Sequence, residues 1–413
     1  MPGRRPRFFY GYVIGALGFF IQAIFWGTYR SFGLFFNPLL NEFGWTRAEL
    51  STAASIGWLL IGFVNIPTGA LTDRFGPRIT LTACGFFFGL GYILLWQLHA
   101  LWQLYLFYGF IMAIGMSGAD IIPLSTIARW FASKRGTFTG ISKIGTGLGM
   151  MAVPLLAGQF ITGYGWRSAY AILGTAALVT LVGMAQFLRR DPSRMGQQPY
   201  GARRHEPSAS HSGEEGMLLK QAYRTRQFWT LAAAFLCLVF CAETVMVHTV
   251  PHAVDQGISA TSAAAILSVI GGASIVARSI MGFVADRIGA KRAMLICYLP
   301  LISALFWLQS TDALWMFYVF AALYGFSHGG FFTLISPTIA QLFGTVSHGA
   351  IFGIILASGA VGGAGGPFMA GRLFDIYGTY RIPFLIIALL AIAALLLTLS
   401  LTRTAYEKQA SAT

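Results

Sequence analysis

Twelve long apolar stretches limit what this chain can fold into. Each has about 20 residues or more, the length that crosses the hydrocarbon core of a bilayer as a helix. They lie at 10–36, 48–71, 79–98, 101–127, 136–162, 167–188, 227–252, 261–285, 290–309, 313–338, 348–372 and 381–402. Only helices and closed barrels satisfy the backbone in lipid, and these runs are too continuously apolar for barrel strands. The sequence therefore predicts an all-α membrane protein with twelve transmembrane helices.

The composition agrees, since 56% of the 413 residues are hydrophobic and only 10% are charged, which is outside the range of soluble domains. Arg4, Arg5 and Arg7 precede an apolar run that is longer than a signal-peptide core, so we expect the first span to be retained. The cysteines all lie in predicted spans and indicate no disulfide framework or metal site: Cys84, Cys237, Cys241 and Cys297. We expect no cofactor.

The net charge of +14 is concentrated on one side of the predicted membrane. Basic residues fill the N-terminus, the 2–3, 4–5 and 8–9 loops and the segment 189–226, whereas the opposite loops hold little beyond Arg47, Arg167 and Arg381. The positive-inside rule then predicts that both termini are cytoplasmic. We expect a multi-pass protein of the plasma membrane, or of the inner membrane in a bacterium. The basic charge reflects topology and does not indicate nucleic-acid binding.

A polar linker divides the spans into two groups of six. Residues 189–226 are rich in charge, Pro, Gly and Ser. The two groups repeat each other: "GTFTGISKIGTGLGMMAVPLLAG" (136–158) aligns without gaps on "GAIFGIILASGAVGGAGGPFMAG" (349–371), with five coincident Gly and Pro positions. We predict an N-terminal six-helix bundle at 1–188, a cytoplasmic linker at 189–226 and a C-terminal six-helix bundle at 227–413. Parallel repeats of this kind occur in transporters that bind substrate near the midplane and work by alternating access.

Several short motifs resemble those of a known superfamily. "GALTDRFGPR" (69–78) resembles the loop signature of the major facilitator superfamily, and "GFVADRIGAKR" (282–292) is a degenerate copy of it. "RWFASKRGTFTGISKIGTGLG" (129–149) and "VARSIMG" (276–282) resemble motifs of the monocarboxylate transporter family. The related oxalate/formate exchangers share the eighth-span arginine. Arg30 falls where the monocarboxylate transporters carry a first-span lysine. The resemblance implies the major facilitator fold and a transporter that is not an enzyme.

Arg278 lies in the middle of the eighth predicted span. A charge at this depth costs at least ~2.5 kcal/mol, so something must compensate it. One interpretation is a structural ion pair with Asp120 or Glu243. The other is a receptor for a carboxylate, because the planar guanidinium matches a carboxylate bidentately and stays charged. The resemblance implies the second role, since the matching arginine of both families is taken to bind the substrate carboxylate.

The resemblance also bears on the substrate. Where the oxalate exchangers carry a span-11 lysine for a second carboxylate, this chain has Ala357, Ser358 and Gly359. We therefore predict a small monocarboxylate such as lactate or pyruvate. The predicted substrate-binding residues are Arg278, Ser274, Tyr29, Tyr324, His328, Phe331 and Phe332. For His328, pocket lining and structural hydrogen bonding both remain open, and aromatic residues at helical spacing also occur in plain packing.

Proton coupling requires a titratable group, since the sequence has no P-loop for ATP. The candidates are Asp255, His248 and Glu243, with Asp255 preferred as a partner of Arg278 across the cavity mouth. A solvated aspartate at a span end is the alternative for Asp255. Animal monocarboxylate transporters carry an aspartate four residues before the span-8 arginine, where this chain has Ser274, so their coupling does not transfer directly. We expect no metal between the two histidines of span 7, because no third ligand is spaced with them.

Four loop charges form the predicted cytoplasmic gate: Asp73, Arg74, Arg78 and Asp286. Acidic side chains near helix N-termini and ion pairs between the bundles can hold one state closed and release it on opening. Solvated loop charges would have no such effect. The remaining deep charges are Arg30, Asp120 and Lys143, and the last two could pair with each other.

The predicted function is secondary active transport of a small monocarboxylate together with a proton. Carboxylate exchange of the oxalate/formate type is the alternative among transporters, and a membrane sensor on the same fold is the non-transporting alternative. An enzyme would need a cluster of nucleophile or metal ligands, which the sequence does not show. The expected partners are the monocarboxylate anion, a proton and the lipid bilayer, with no nucleic acid, and the monomer is expected to be functional.

Overall fold

The computed structural model describes residues 8–201 and 216–402, in which eleven helical runs are long and apolar enough to cross a membrane. The longest, Arg135–Phe187, contains two of the predicted spans because it breaks at Gly165, and we label its arms α5 (135–164) and α6 (166–187). The prediction of twelve spans is confirmed. The other helices are α1 Gly11–Arg30, α2 Arg47–Phe75, α3 Pro77–Leu94, α4 Leu101–Trp130, α7 Arg226–Asp255, α8 Ala260–Ile288, α9 Ala290–Trp307, α10 Leu314–Phe343, α11 His348–Tyr377 and α12 Arg381–Leu399.

Glycines with positive φ set the connections. Gly165 has φ +79°, a conformation that costs glycine little and lets α6 reverse direction after α5. Gly76 (φ +87°) and Gly289 (φ +89°) end α2 and α8 at equivalent positions of the sequence repeat. Each tight turn allows the next helix to start within two residues. The repeat seen in the sequence is therefore also present in the backbone.

We call the face that carries the 2–3, 4–5, 8–9 and 10–11 loops the linker face, because the chain between α6 and α7 lies there. The first six helices meet the last six in the halves near this face. There α2 packs along α11 and α5 packs along α8. A Cβ on Gly69 or Gly136 would overlap the backbone of Gly349 or Gly282 respectively. Glycine therefore permits helix contacts close enough to seal the linker face.

The described ends of the linker are hydrogen-bonded to the helix groups. Tyr200 donates its N–H to the Trp130 carbonyl at 2.9 Å and accepts from the Ser133 N–H at 2.9 Å. At the other end, the Met217 N–H donates to the Phe343 carbonyl at 2.8 Å. Trp130 and Phe343 end α4 and α10, which correspond in the repeat. The described ends of the linker therefore attach to matching loops of the two helix groups.

Candidate substrate-binding site

A cavity of about 70 Å³ lies between the two helix groups. Two aromatic rings line it from the first group, Trp26 and Trp58, and two line it from the second, Phe235 and Phe332. The remaining lining residues are Ile61, Gly62, Asn65, Met116, Ser117, Ala119, Asp120, Val239, Leu356, Gly359 and Ala360. Its wall is thus mainly apolar, with its few polar groups on α2 and α4.

The charged group in this wall is Asp120 of α4. Its Oδ1 is 2.5 Å from the Lys143 Nζ of α5 and also accepts from Gln22 Nε2 at 2.8 Å and Trp26 Nε1 at 3.3 Å. Thr146 in turn donates to the Gln22 side-chain oxygen at 2.6 Å. The predicted pairing of Asp120 with Lys143 is confirmed. Three donors to one carboxylate oxygen compensate the burial of that charge.

Arg278 lies at mid-depth, 18 residues after the start of α8, which corresponds to about 27 Å at 1.5 Å per residue. Its side chain is buried, and its Nη1 donates to the Lys143 carbonyl at 2.7 Å. The Nε atom is buried and has no hydrogen-bond partner within the described residues. No acidic side chain of those residues lies within 4 Å of the guanidinium, so the alternative of a structural ion pair with Asp120 or Glu243 is not realised here.

Most of the other predicted substrate residues line a second, smaller apolar space of about 20 Å³, which shares Phe332 with the first. Tyr324, His328 and Phe331 lie in its wall. Ser274 stands behind the histidine, with its Oγ 3.5 Å from the ring Nδ1. His328 also interacts electrostatically with Arg278. His328 therefore links this second space to the arginine, whereas Arg278 itself is not among the residues that line either space.

Tyr29 does not line either space. Its ring packs inside the first helix group, with its centroid 6.0 Å from that of Tyr108 in a stacked arrangement. The prediction that Tyr29 contacts substrate is not supported in this conformation. The neighbouring Trp26, one turn earlier on α1, lines the cavity instead, because residues three apart share a helix face but reach it at different depths.

The predicted pair of Asp255 and Arg278 is not formed. Asp255 is the last residue of α7 and lines a polar pocket of about 300 Å³ with Asp312 and Arg381 at the face opposite the linker. Arg278 lies about 27 Å along α8 from that face. α7 continues through Pro251 and carries Asp255 to this face, away from Arg278.

Both ring nitrogens of His248 lie within hydrogen-bond distance of groups in the second helix group. Its Nδ1 lies 3.2 Å from the Tyr380 hydroxyl and its Nε2 lies 3.0 Å from the Pro367 carbonyl. His252 instead packs among aromatic rings, with Phe384 at 5.2 Å between centroids. Both histidines are therefore engaged within the second helix group and away from Arg278. No three His, Cys, Asp or Glu side chains of the described chain come together as metal ligands would.

Glu243 is the proton-coupling candidate that faces the region between the groups. It lies on α7 and interacts electrostatically with Arg30 of α1. The Arg30 guanidinium stands 6.0 Å from the Trp26 ring centroid. A Cβ on Gly363 would lie 3.0 Å from Trp58 Nε1 and 3.1 Å from Glu243 Cγ, so this glycine leaves a gap between the two helix groups.

At the linker face, two aspartates occupy matching positions across the helix groups. Asp73 of α2 accepts from the Gly349 and Ala350 N–H groups at 3.1 and 2.8 Å, at the start of α11. Asp286 of α8 accepts from the Gly136 and Thr137 N–H groups at 2.6 and 2.7 Å, at the start of α5. Free N–H groups and the helix dipole favour a negative charge at these ends. Each helix group therefore supplies one anion to the other.

Arg129 completes this contact and was not predicted from the sequence. Its Nη2 lies 2.9 Å from Asp73 Oδ1 and 3.2 Å from the Val346 carbonyl, and its Nη1 lies 3.4 Å from Asp191 of the linker. The available signal was that "TIARWF" carries an arginine where its repeat "TIAQLF" has glutamine. Asp73 therefore joins three helices, because it lies on α2, accepts from two N–H groups of α11 and pairs with Arg129 of α4.

The two predicted gate arginines do not join the helix groups. Arg74 is exposed, and its guanidinium lies 5.2 Å from the ring of Phe75. Arg78 donates to the Gln186 side-chain oxygen at 2.9 and 2.7 Å, inside the first group. Both side chains leave the turn at Gly76 on the side away from α11. The loop motif therefore contributes its aspartate to the contact between groups and its arginines elsewhere.

Comparisons with known proteins agree with this architecture. The profile of the Major Facilitator Superfamily matches residues 15–307 and 250–413. Monocarboxylate transporter 13 of Bos taurus is 26% identical over 402 residues, which cover 94% of this chain and 89% of that protein. The oxalate:formate antiporter of Oxalobacter formigenes is 27% identical over 385 residues, covering 92% and 88%. The E. coli fucose:proton symporter FucP has a TM-score of 0.73 at 15% identity, covering 95% of this chain and 100% of that chain.

These matches extend over both helix groups and confirm the superfamily resemblance seen in the loop motifs. The likeness to FucP concerns the fold, and the profile identifies the family. The chain belongs to the Major Facilitator Superfamily and is a multi-pass membrane transporter rather than an enzyme.

Proposed function

We propose that this protein is a secondary active transporter that carries a small monocarboxylate, such as lactate or pyruvate, together with a proton. Arg278 binds the carboxylate. The observation that carries the proposal is the buried Arg278 guanidinium, which has an unpartnered Nε and no acid within 4 Å among the described residues. Asp120 interacts with Arg278 only without direct contact, and an anionic substrate would neutralise the buried guanidinium at close range.

The local charge supports a substrate with one negative charge. Arg278 and Lys143 contribute two positive charges and Asp120 contributes one negative charge, so the cluster carries +1. A monocarboxylate brings this sum to zero. Ser358, in the stretch aligned with the second cation of the oxalate exchangers, donates its hydroxyl to the Ala232 and Ile355 carbonyls. A second carboxylate would find no cation there.

Carboxylate exchange is the second candidate, because one relative is named as an oxalate:formate antiporter. Proteoliposomes loaded with buffer and given labelled lactate separate the two modes. Symport predicts uptake that an inward proton gradient stimulates and a protonophore abolishes. Exchange would require an internal counter-substrate and would not respond to the gradient. Absence of transport for every mono- and dicarboxylate tested would favour the sensor alternative.

For the proton, we propose Glu243 as the carrier, with Arg30 as its charged neighbour. In this role the carboxylate takes up a proton when the cavity is accessible and loses its attraction for Arg30. We expect Glu243→Gln to abolish stimulation by a proton gradient while preserving exchange of internal for external lactate. Asp255→Asn, in the remote polar pocket, is the matched control and should keep stimulation. Retained gradient-driven accumulation in Glu243→Gln would exclude Glu243 as the carrier.

We propose further that the bundles 1–188 and 227–413 rock about this site, and that the linker face is cytoplasmic, as the positive loops indicate. The charges at Asp73 and Asp286 then hold the cytoplasmic side closed. Their release would accompany inward opening, since each aspartate binds the helix end of the opposite bundle. The monomer supplies every group used in this mechanism.

The gate can be tested by removing one charge. Asp73→Asn keeps the shape of the side chain but loses the anion that faces α11 and Arg129, so the closed state should weaken by about tenfold in population. The measurement is the labelling rate of a cysteine at Ala285, buried against Gly136, in a background whose native cysteines are replaced. The rate should rise about tenfold. Arg78→Ala should leave it unchanged, and an unchanged rate in Asp73→Asn would contradict the gate.

A further inference from the structure

The indole nitrogen of Trp58 is a hydrogen-bond donor without an acceptor. Trp58 lies on α2 and lines the cavity between the two helix groups. Its Nε1 atom is buried and has no hydrogen-bond partner among the described residues. A buried donor without a partner costs free energy, and buried indole N–H groups usually have one. The neighbouring Trp26 follows that rule, because its Nε1 donates to Asp120. Trp58 is therefore available to donate to a group that moves within reach.

The Glu243 side chain lies close to this donor, across the boundary between the helix groups. A Cβ on Gly363 of α11 would lie 3.0 Å from Trp58 Nε1 and 3.1 Å from Glu243 Cγ, so those two atoms are at most 6.1 Å apart. The carboxylate oxygens extend about 2.4 Å beyond Cγ, and N–H···O hydrogen bonds form at about 2.7–3.2 Å. Rotation of the Glu243 side chain, with a shift of less than about 1 Å, can therefore place an oxygen within hydrogen-bond distance of the indole nitrogen.

The Glu243 carboxylate has no direct partner of its own. It forms no hydrogen bond and no ion pair within 4 Å in the part of the chain that the structure describes. The charged or titratable side chains that interact electrostatically with it are Arg30 and Tyr29 of α1 and Tyr324 of α10. Arg30 is exposed, so solvent weakens its attraction. A fixed N–H donor would therefore stabilise the charged carboxylate where no other direct partner does.

We propose that Trp58 is a positioning residue for the proton carrier, and that its indole N–H donates to the Glu243 carboxylate when this group is charged. This inference rests on the proposed function, which assigns the proton to Glu243. Charge-assisted hydrogen bonds are roughly twice as strong as neutral ones, so protonation of Glu243 weakens the contact. Trp58 lies on α2 and Glu243 on α7. Proton uptake therefore loosens one contact between the two helix groups.

Trp58→Phe tests the inference, because it keeps an aromatic ring in the wall and removes the N–H donor. The measurement is the pH dependence of labelled lactate exchange in proteoliposomes that have equal pH on both sides. Exchange by a symporter needs the protonated carrier, so its rate should fall as the pH rises through a midpoint. Loss of a hydrogen bond to the charged form favours protonation, so Trp58→Phe should move this midpoint up by about one pH unit. Trp102→Phe, on the exposed side of α4, is the matched control and should leave the midpoint unchanged.

Gly363→Ala is a second variant that keeps both the indole and the carboxylate. Its methyl group would occupy the space between Trp58 Nε1 and Glu243 Cγ, at 3.0 and 3.1 Å from these atoms. It should therefore move the midpoint in the same direction as Trp58→Phe, and it keeps the test open if Trp58→Phe does not fold. Gly365→Ala is its control on α11, because a Cβ there would meet the Phe240 ring at an ordinary contact distance of 3.4 Å. This control should leave the midpoint unchanged.

Glu243→Gln separates the inference from the function on which it rests. Its exchange should be independent of pH, and adding Trp58→Phe should change nothing further, because the two side chains act together. Unchanged midpoints in Trp58→Phe and Gly363→Ala, with pH-independent exchange in Glu243→Gln, overturn the hydrogen bond and leave Glu243 as the carrier. A wild-type pH profile in Glu243→Gln refutes the carrier, and the inference falls with it.

Discussion

We expect Arg278→Ala to abolish uptake, reducing it at least about 100-fold, while expression and the elution volume of the purified protein stay near those of the wild type. Truncating one partner of a buried charge pair costs ~2–5 kcal/mol, equivalent to a loss of more than thirtyfold to several thousandfold. The site is the guanidinium at mid-depth in α8, held by the Lys143 carbonyl. Arg278→Lys should fail almost as completely, because a lysine ammonium lacks the planar fork that binds a carboxylate bidentately. Initial rates of labelled lactate uptake measure both effects.

The matched control for this experiment lies on the same helix. Arg287 is exposed nine residues further along α8, with its guanidinium 4.2 Å from the Phe283 ring centroid. Arg287→Ala removes an equal charge from the same segment without touching the cavity, and transport should fall less than about twofold, as is usual for exposed surface charges. Wild-type uptake by Arg278→Ala would contradict the proposed role.

Lys143→Met is expected to have the second largest effect, and it acts on stability as well as transport. The lysine neutralises Asp120 at 2.5 Å inside the first helix group. Removing one partner of a buried ion pair leaves the other charge uncompensated, at a cost of ~3–5 kcal/mol. We expect the midpoint of thermal unfolding in detergent to fall by several degrees and uptake to be lost. A thermal unfolding scan of the purified variant measures the first effect.

The double variant Lys143→Met with Asp120→Asn separates structure from function. Neutralising both partners removes the unpaired charge, so stability should recover most of the loss. The site then keeps the +1 of Arg278, so binding of monocarboxylate should be retained within about tenfold, as for a pair that acts on packing. A double variant that regains stability but binds no carboxylate would assign Lys143 a direct role at the substrate.

Much of the fold followed from the hydrophobic pattern. A bilayer demands about 20 apolar residues for each helix, so the twelve spans were evident from length and composition. The break between the fifth and sixth spans was predicted close to Gly165, where the backbone turns. Repeated glycines also pointed to close helix contacts, and Gly136 against Gly282 shows such a contact. These features depend on local sequence and on the lipid bilayer, which requires an apolar helix of sufficient length for each span.

The contacts between helices were harder to predict. Asp255 was paired with Arg278 across the expected cavity mouth, but the position along each helix axis separates them. Arg129 went unnoticed because its role depends on how α4 meets α2 and α11, which are distant in the chain. A sequence reveals which residues are charged. Which charges meet is decided by the rotation and tilt of each helix, and these arise from packing.

The central claim is that Arg278 binds the carboxylate of the substrate between two helix bundles that move against each other in alternating access. A structure of the protein with bound lactate tests it most directly. The account predicts ligand density with its carboxylate within hydrogen-bond distance of the guanidinium. Density located elsewhere, with the guanidinium bridged to an acidic side chain in the bound state, would contradict it.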